Sequence, residues 1–517
     1  MNWRSARWLM CGCLLAAAGG RAQAQAAEPI GLFTDHTDVG TVLHPGSVVY
    51  DAAKRSYTIS GSGENVWATA DAFQFVWKKM EGDFTLTADI SVLGQGGDPH
   101  KKAMLMARQS LDADSAYADV ALHGVGLTSL QSRDAKGADT HEIQSNISAP
   151  KRLRLQKYHG EFTMWLAGED DQFRMAGGSM LVPLTGPFYV GLGVCAHNKD
   201  AVETAEFRNV ALEPITAESS AQLYSTLETV TVASTDRRVA YAAPIGYAKF
   251  ELTAPIWTPD GASLVFDDEG QLKRVLAAGG EPKVIDTGLD AMLSYLFHGI
   301  SPDGTMLAVS GASLDRRKVL YVVPIGGGTP RPVAAPSPTT WQGWAPDGKS
   351  ILFTGERRGK PGIYTIPVAG GEETRVAELP PRCGDAEYSS DGEYIYYGCR
   401  SDRSDAREVW RMRADGSQRE RVAKGGVGDW FPHVSPDGRL MAFLTSPPHS
   451  DFPINLTLVT LRVMSLTDGK IRVLAKLVGG WGTMPLPSWS PDSRRLAFVS
   501  YQKVSAGAQP PAPAVVK

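Results

Sequence analysis

The motif WAPDG at residues 344–348 is one of six similar pentapeptides in the second half of the chain. The aspartates of successive copies lie 43 to 55 residues apart. A regular repeat of this length is typical of stacked supersecondary units rather than of one continuous core. The copies read WTPDG at 257–261, ISPDG at 300–304, WAPDG at 344–348, YSSDG at 388–392, VSPDG at 434–438 and WSPDS at 489–493.

Each copy predicts a unit of four antiparallel strands, which the third copy shows best. Pro346 fixes φ, Asp347 bonds the backbone ahead of it and Gly348 tolerates a positive φ, so the three residues make a turn. Strand-like runs follow at residues 351–353, 363–368 and 374–377, with a Gly-Gly hairpin turn between the last two. Four antiparallel strands per repeat make a propeller blade. Six copies therefore predict six blades, and each repeated aspartate is a turn residue.

The last blade needs strands from elsewhere in the chain. Only one strand-like run, residues 496–499, follows the sixth copy closely, whereas two runs, 227–233 and 238–243, precede the first copy. We expect these two runs to be outer strands of the last blade, because this pairing closes the ring and removes exposed sheet edges.

The repeats resemble the WD40-like propeller repeats of the TolB family, whose members are labelled Tol biopolymer-transport components. The resemblance covers residues 254–500. It implies a six-bladed propeller and says little about function, because propellers carry many unrelated activities. TolB itself has a small α/β domain before its propeller, whereas the preceding stretch of this chain is predicted to be all-β.

That preceding stretch, residues 27–213, contains about ten short strand-like runs and no sustained helical periodicity. Such a pattern favours a β-sandwich. The run GDFTL at 82–86 and the later FRNV at 207–210 resemble a concanavalin A-like, or laminin-G-like, jelly roll. The predicted fold is therefore all-β, with a concanavalin A-like sandwich at 27–213, a linker at 214–226, a six-bladed propeller at 227–502 and a disordered tail at 503–517.

The N-terminus has the pattern of a secretory signal peptide, residues 1–26. Arg4 and Arg7 precede an apolar run at 8–18, and small-residue cleavage sites follow at 22–24 and 24–26. The run is too short to span a membrane, and no other stretch resembles a transmembrane helix. We expect a periplasmic or secreted protein without an integral membrane segment in its mature form. A net charge of −4 without long basic blocks argues against a nucleic-acid partner.

Three cysteines follow the predicted signal peptide. Cys383 enters the first strand of the fourth blade and Cys399 leaves the adjacent antiparallel strand. A hairpin places both at the same end, so we predict a disulfide between them in an oxidising compartment. Cys195 ends an apolar strand and is predicted to be a buried thiol.

Polar and aromatic residues on three successive strands mark a first candidate site. The resemblance to concanavalin A-like sandwiches implies sugar binding on one sheet. Side chains of these types on one sheet face would suit polyol hydrogen bonding with ring stacking. The other interpretation is a solvated outer face. The residues are Arg108, Tyr117, Asp119, His123 and Gln131.

A second candidate site lies at the mouth of the propeller channel. Polar residues stand four or five positions before the turn aspartates: His298, Gln342, Glu387, His433 and Ser488. We expect them to converge near the axis, where two histidines, His298 and His433, could bind a divalent metal. Glu387 and a histidine could instead act as acid and base, and Trp430 could stack on a sugar. The alternative is a channel lined by polar groups and water.

Three functions remain open from the sequence. The first is an exported binding or scaffold protein for a glycan or an envelope-protein partner, which the sequence favours. The second is a carbohydrate-active enzyme, a polysaccharide lyase or glycoside hydrolase, with a site at His298, Glu387 and His433. The third is a Tol-like envelope component that docks a lipoprotein. The sequence leaves open whether the protein is catalytic and which ligand it binds.

Overall fold

The structure is a computed structural model, and it describes residues 30–505 apart from 95, 217–220, 246–251, 290–297, 313–317, 334–338, 381–382, 401–406, 424–428, 448–449, 451–455 and 487. The predicted signal peptide, 1–26, lies outside the described residues. All regular secondary structure in the described ranges is β. Within those ranges no helix is long and apolar enough to cross a membrane.

Sixteen strands form the N-terminal half. They are β1 (Asp35–Val39), β2 (Ser47–Asp51), β3 (Ser56–Gly63), β4 (Val66–Trp67), β5 (Ala70–Asp71), β6 (Phe73–Met80), β7 (Asp83–Leu93), β8 (Lys102–Arg108), β9 (Tyr117–His123), β10 (Thr128–Arg133), β11 (His141–Gln144), β12 (Arg152–Tyr158), β13 (Glu161–Ala167), β14 (Phe173–Leu181), β15 (Phe188–Cys195) and β16 (Asn198–Ile215).

The C-terminal half contains the remaining strands. They are β17 (Ala221–Thr231), β18 (Arg237–Pro244), β19 (Thr253–Trp257), β20 (Ser263–Asp268), β21 (Gln271–Leu276), β22 (Lys283–Val284), β23 (His298–Ile300), β24 (Met306–Ala312), β25 (Lys318–Pro324), β26 (Arg331–Pro332), β27 (Thr339–Trp344), β28 (Ser350–Arg357), β29 (Lys360–Pro367), β30 (Thr374–Glu378), β31 (Cys383–Tyr388), β32 (Tyr394–Arg400), β33 (Arg407–Arg413), β34 (Glu420–Ala423), β35 (Asp429–Val434), β36 (Leu440–Thr445), β37 (Thr457–Ser465), β38 (Ile471–Gly479) and β39 (Arg495–Ser505).

Two large sheets face each other in the N-terminal half, and the first continues into the C-terminal half through β18, β17 and β39. One has the order β1-β6-β15-β8-β9-β10-β11-β18-β17-β39, and the other β14-β13-β12-β7-β16-β3-β2. Alternate residues of each strand point into the space between the sheets. Leu105 and Val120 of the first sheet and Leu86 and Leu155 of the second are fully buried there. Each such side chain stabilises the fold by about 1.5–3 kcal/mol relative to its exposed state.

In the described part of the chain, five separate four-stranded sheets form a propeller-like arrangement. They are β19–β22, β23–β26, β27–β30, β31–β34 and β35–β38. The repeated motif is the turn between the first two strands of each sheet. Asp303 accepts the amide of Thr305 at 3.0 Å and the hydroxyl of Ser301, while Gly304 has φ +74°. Equivalent amide bonds to Asp260, Asp347, Asp391, Asp437 and Asp492 recur in the other copies.

The sixth copy of the motif does not begin a separate four-stranded sheet, so the described residues show five such sheets where the sequence predicted six blades. After this copy, β39 pairs antiparallel with β17, and β17 pairs with β18. Trp489 forms an isolated β-bridge with Leu496. β18 then pairs in parallel with β11 of the N-terminal sheet, which continues the sheet beyond the sixth copy. The predicted strand 227–233 thus overlaps β17, which pairs with β39, and the predicted strand 238–243 lies within β18, on the other side of β17.

Two segment boundaries also differ from the sequence analysis. The stretch predicted as a polar linker, 214–226, is strand at residues 214–215 and 221–226, because these residues pair with β7 and β39. The stretch predicted as a disordered tail, 503–517, is strand at 503–505 because β39 continues along β17 to Ser505. Residues 506–517 lie outside the described part of the chain.

The two halves share packing as well as a sheet. The rings of Trp165 on β13 and Tyr224 on β17 meet edge to face, with centroids 5.3 Å apart. Glu228 on β17 is fully buried and pairs with Arg237 on β18 through two bonds of 2.8 Å. The hydroxyl of Ser500 on β39 also donates to Glu228. A buried, fully bonded ion pair therefore fixes the relative positions of the three strands that join the halves.

We predict that Glu228→Ala lowers the free energy of unfolding by about 3–5 kcal/mol, because it leaves the Arg237 guanidinium buried without its partner. Urea unfolding followed by tryptophan fluorescence measures the change. The matched control is Glu393→Ala, which breaks the exposed ion pair with Arg413 and is expected to cost about 0–1 kcal/mol. Equal losses in the two variants would contradict the role given to Glu228.

Candidate functional site

The first strands of several blades contain a bulge six residues before the turn aspartate. Ala254, Asp385 and Phe431 have φ of +54°, +54° and +53°, a conformation that residues with a side chain rarely adopt. The strand register shifts at the same places, between Thr253 and Ile256 in the first blade and at the equivalent points of the fourth and fifth. A bulge changes the direction in which the next side chains point. The bulges in these first strands direct the polar side chains that come after them towards the neighbouring blade.

Glu387 and His433 show the result most clearly. His433 Nδ1 lies 2.7 Å from Glu387 Oε2, and its Nε2 lies 3.1 Å from the carbonyl oxygen of Met484. A carbonyl only accepts, so Nε2 carries a hydrogen. The Glu387 carboxyl also accepts a hydrogen bond from the backbone amide of Val434. Burial raises the pKa of the Glu387 carboxyl above its ordinary value. These bonds join the first strands of the fourth and fifth blades to each other and to the segment before β39.

Other polar residues predicted at the channel mouth make similar bonds between blades. Gln342 Oε1 accepts the amide of Ala386 at 2.6 Å, and the Ser488 hydroxyl donates to Pro255 O at 2.9 Å. Trp257 Nε1 donates to Ser488 O at 3.0 Å. Further indole bonds between neighbouring blades run from Trp344 to Gly299 O and from Trp489 to His433 O.

This arrangement does not provide the predicted metal site. Since His433 Nε2 carries a hydrogen and Nδ1 bonds Glu387, neither ring nitrogen has a lone pair free for a metal. His298 is fully buried in β23. Among the described residues, no group of three or more His, Cys, Asp or Glu side chains is placed to hold a metal ion.

The predicted sugar platform at Trp430 is also packed inside the protein. Its ring is 9% exposed, and Nε1 donates to Ser446 Oγ at 3.2 Å. The exposed indole on this side is Trp481, at 45% exposure, with its ring 6.4 Å from that of Phe431. The sequence analysis missed Trp481 because it lies at no repeated position of the motif.

Two recesses lie beside these first strands. The one next to the inter-blade bonds is lined by Trp341, Gln342, Asp385, Ala386, Glu387, His433, Pro485 and Leu486. The other has a volume of about 240 Å³, and Cys383 is one of its lining residues. Cys383 is bonded to Cys399 across the β31–β32 pair, with Cα atoms 4.1 Å apart. Cys195 is a buried free thiol whose pKa burial raises to about 11.

The five candidate residues of the first sheet lie on one face of β8, β9 and β10, but that face is covered. Arg108, Tyr117, Asp119 and Gln131 have no exposed surface, and His123 is 5% exposed. The hairpin β4–β5 lies over them. A ligand reaches this cluster only if the hairpin moves, so the cluster is an internal polar network in this structure.

Arginine side chains hold the hairpin in place. The carboxylate of Asp71 on β5 accepts hydrogen bonds from both terminal nitrogens of Arg133, at 2.8 and 3.0 Å, and from one terminal nitrogen of Arg108, at 3.3 Å. Arg133 Nη2 also donates to the carbonyl of Ala68 at 2.9 Å. Tyr117 Oη bonds Thr140. The sequence analysis missed Asp71 and Arg133, although Arg133 follows Gln131 at the alternate spacing that places side chains on one sheet face.

The other half of the network surrounds Lys102. Its ammonium donates to Val66 O at 2.7 Å and to Gln131 Oε1 at 3.1 Å. Gln131 Nε2 in turn donates to Glu142 Oε1. Neither carboxyl oxygen of Asp119 has a hydrogen-bond partner, and burial raises the pKa of this carboxyl well above its ordinary value. Burial and the charge of Lys102 lower the pKa of His123 to about 3.

Comparison with known proteins relates about half of the chain to proteins of one genus. The uncharacterized protein Atu1656 of Agrobacterium fabrum is 38% identical over 279 residues, which are 54% of this chain and 92% of that protein. The structure of a putative TolB from Agrobacterium tumefaciens is 35% identical and covers 55% of this chain and 99% of that one, with a TM-score of 0.50. The chain belongs to the family of these TolB-like propeller proteins.

The chain is also similar to a more distant solved structure. TolB from Acinetobacter baumannii is 16% identical, covers 61% of this chain and 79% of its own, and has a TM-score of 0.38. No known protein-family model matches the chain. Both Agrobacterium proteins match only about half of this TolB-like chain.

We predict that Asp119→Asn changes how stability depends on pH. The pKa of Asp119 is raised in the folded state, so the folded protein holds this proton at pH values where the unfolded chain has lost it. The free energy of unfolding of the wild type, relative to that of the variant, therefore falls as the pH rises above about 4, and it continues to fall until the pH passes the raised pKa. Urea unfolding at a series of pH values measures the difference, which is expected to grow as the pH rises. Asp139→Asn, at an exposed site, is the control. The difference in free energy of unfolding between wild type and Asp119→Asn should change with pH. If it changes no more than the difference between wild type and the control does, the prediction is wrong.

We predict that Glu387→Ala costs about 2–3 kcal/mol, because it removes the partner of His433 Nδ1 and of the Val434 amide. Glu387→Gln retains both hydrogen bonds and is expected to cost less than about 1 kcal/mol. Unfolding measurements, with hydrogen exchange at the Val434 amide, compare the two variants. An equal loss in both, or none in either, would mean that these bonds do not hold the blades together.

Proposed function

We propose that this protein is an exported, non-catalytic scaffold that binds a glycan or an envelope-protein partner. The observation that carries the proposal is the continuous sheet from the N-terminal half through β11, β18, β17 and β39, reinforced by side-chain bonds between blades. The side-chain hydrogen bonds between blades fix the geometry of a large surface. The polar groups that make these bonds are not free to act in catalysis. A rigid surface suits binding, because it loses little conformational entropy on association.

In this proposal the ring has six blades. The sixth consists of β39, β17 and β18 together with the short bridge at Trp489. The bond from Trp257 Nε1 to Ser488 O, and that from Ser488 Oγ to Pro255 O, support closure between the sixth copy and the first blade. The two facing sheets of the N-terminal half form a concanavalin A-like sandwich over residues 27–213, and the propeller spans 227–502.

Export follows from the predicted signal peptide at 1–26 and fits a periplasmic location. The bond between Cys383 and Cys399 supports it, because such crosslinks persist in oxidising compartments and are rare in the cytosol. The partner surface in this proposal includes the exposed indole of Trp481. An indole at a rim can stack on a sugar ring or anchor a protein contact.

An assay for product release distinguishes this proposal from the alternative, a carbohydrate-active enzyme. The mature protein is incubated with acidic and neutral polysaccharides, with and without divalent metal ions, and the products are separated by chromatography. We expect no new oligosaccharides. Products that disappear in Glu387→Gln and His433→Gln would overturn the proposal in favour of an enzyme at the first strands of the propeller.

Binding is measured in the same panel by affinity electrophoresis, and by crosslinking to envelope proteins in cells. We expect Trp481→Ala to weaken the interaction about tenfold or more, which corresponds to the loss of about 1.4 kcal/mol. Leu276→Ala, an exposed apolar residue on the first blade, is the control. Equal binding by wild type and Trp481→Ala would remove Trp481 from the partner surface.

A further inference from the structure

The outer strand of the fifth blade, β38, differs from the outer strands of the other four-stranded sheets. It has nine residues, whereas the outer strands of the other four sheets have two to five. In its sheet β38 pairs with β37, and its other edge carries backbone groups that no strand of the described chain uses. We propose that this edge binds an extended acidic peptide of a partner protein by strand addition, with Arg462 holding an acidic side chain of that peptide.

The proposal rests on the proposed function and narrows it, because the partner is then a protein rather than a glycan. A sheet edge offers a row of main-chain N–H and C=O groups, and an extended peptide pairs with such a row by continuing the ladder. A polysaccharide has no backbone that can continue a β-ladder. Natural sheets keep their edges short or charged because a long apolar edge attracts other strands. The length of β38 therefore favours a peptide as its occupant.

The exposed part of this edge is apolar. Ile471 is 50% exposed and Val473 is 46% exposed. As alternate residues of one strand, they point to the same side of the sheet. Leu474 and Ala475, the next residues, are buried, so the exposed part of the edge is Ile471–Val473. Apolar side chains of an added strand would cover these two residues and remove their surface from water.

Arg462 lies beside Val473 and has an unsatisfied guanidinium. The two residues are register partners in the β37–β38 ladder, so their side chains share one side of the sheet. Arg462 is half-buried, and its Nε atom is buried without a hydrogen-bond partner. A carboxylate supplied by a partner would give this guanidinium the paired hydrogen bonds that it forms best.

The acidic group near Arg462 is already engaged. Burial raises the pKa of the Asp429 carboxyl, and the charge of Arg462 opposes this shift. Asp429 Oδ1 accepts the hydroxyl hydrogen of Thr445 at 2.7 Å, and no salt bridge within the described ranges joins Asp429 to Arg462. The charge of Arg462 is therefore available to a partner.

This side of the fifth blade faces the fourth blade. Met464 is the register partner of Ile471, and it packs in one apolar cluster with Tyr396 and Val409 of the fourth blade. An added strand would therefore lie at the outer rim, where the fourth and fifth blades meet.

Charge favours an acidic partner over a second copy of this chain. β38 contains two basic residues, Arg472 and Lys476, and no acidic residue. Lys476 pairs with Asp134 at 3.1 Å. Arg472 is exposed, and no salt bridge in the described part of the chain involves it. A second copy of β38 would bring the same cations to the edge, whereas an acidic peptide would neutralise them.

Fluorescence anisotropy with the full mature chain tests the proposal. The probe is a labelled peptide of about seven residues, a usual strand length, in which valine and glutamate alternate. We expect it to bind, with an affinity that falls as salt is added. Arg462→Gln is expected to weaken binding roughly 10- to 100-fold, the loss of a hydrogen bond between charged groups. Arg494→Gln, an exposed arginine in the turn of the sixth motif, is the control and is expected to bind as wild type does.

A second variant and two further peptides separate the contributions. Ile471→Asp replaces an exposed apolar side chain with a charge that repels the probe, and it is expected to weaken binding about tenfold or more. A peptide with lysine in place of glutamate, and an acidic peptide N-methylated at alternate residues, are each expected to bind more weakly than the probe. Thermal unfolding checks that both variants are folded.

Hydrogen exchange gives a readout that a purely structural role would not change. Binding of the acidic peptide is expected to slow exchange at backbone amides within 471–473, because an added strand accepts their hydrogens. Binding that leaves these amides unprotected would overturn the proposal. Equal affinity for the acidic and lysine peptides, or equal affinity in wild type, Arg462→Gln and Ile471→Asp, would also overturn it.

Two other occupants are outcomes of the same experiments. Dimerisation of the chain that Ile471→Asp abolishes, measured by sedimentation, would assign the edge to a second copy and overturn the proposal. Binding of polygalacturonate that Arg462→Gln abolishes, without binding of the acidic peptide, would assign it to a glycan. Failure of the peptide to bind overturns this inference alone, since the Trp481→Ala assay tests the proposed function at a separate surface.

Discussion

Backbone hydrogen bonding along β39 and β17 is the constraint on which the architecture depends. The two strands pair over their whole length, from Thr231 with Arg495 to Ala221 with Ser505. This ladder joins the residues just before the first blade to those just after the last motif. Without it, the first and last strands of the propeller region would each present an open edge, which invites pairing with other chains.

The same strands also determine how the two halves meet. β18 pairs with β11, so the sheet that begins in the N-terminal half ends in the propeller region. The second sheet covers the junction through Trp165 and the Gln156 side chain, whose Oε1 accepts the amide of Ser505 at 3.2 Å. The two halves are joined by backbone pairing and by packed side chains, which allow less relative motion than a flexible linker would. The halves are therefore expected to keep a fixed orientation.

Local features of the fold could be predicted from the sequence. Asp303 and its counterparts form turns because the Pro-Asp-Gly preference acts within a few residues, and the disulfide partners lie opposite each other across one predicted hairpin. The pairing of residues 227–231 with β39 also followed from the need to close a sheet edge. The stretch 214–226 resembled a linker because its polar residues show no strand pattern by themselves; its partners, β7 and β39, are distant in sequence. Covering elements were likewise not predictable: Tyr117 and Asp119 alternate as an exposed face would, but both are buried in a face that the hairpin β4–β5 helps to cover. Glu387 and His433 lie 46 residues apart, and their contact depends on bulges that carry no sequence signal.

Native-state hydrogen exchange tests most directly whether the two halves form one cooperative unit. If the shared sheet couples them, amides of β17, β18 and β39 open with the same free energy as those of β9 and β10, and a destabilising change in either half lowers both sets equally. If the amides of β17, β18 and β39 instead open with a separate, lower free energy while β9 and β10 remain protected, the halves fold independently and the central claim is wrong.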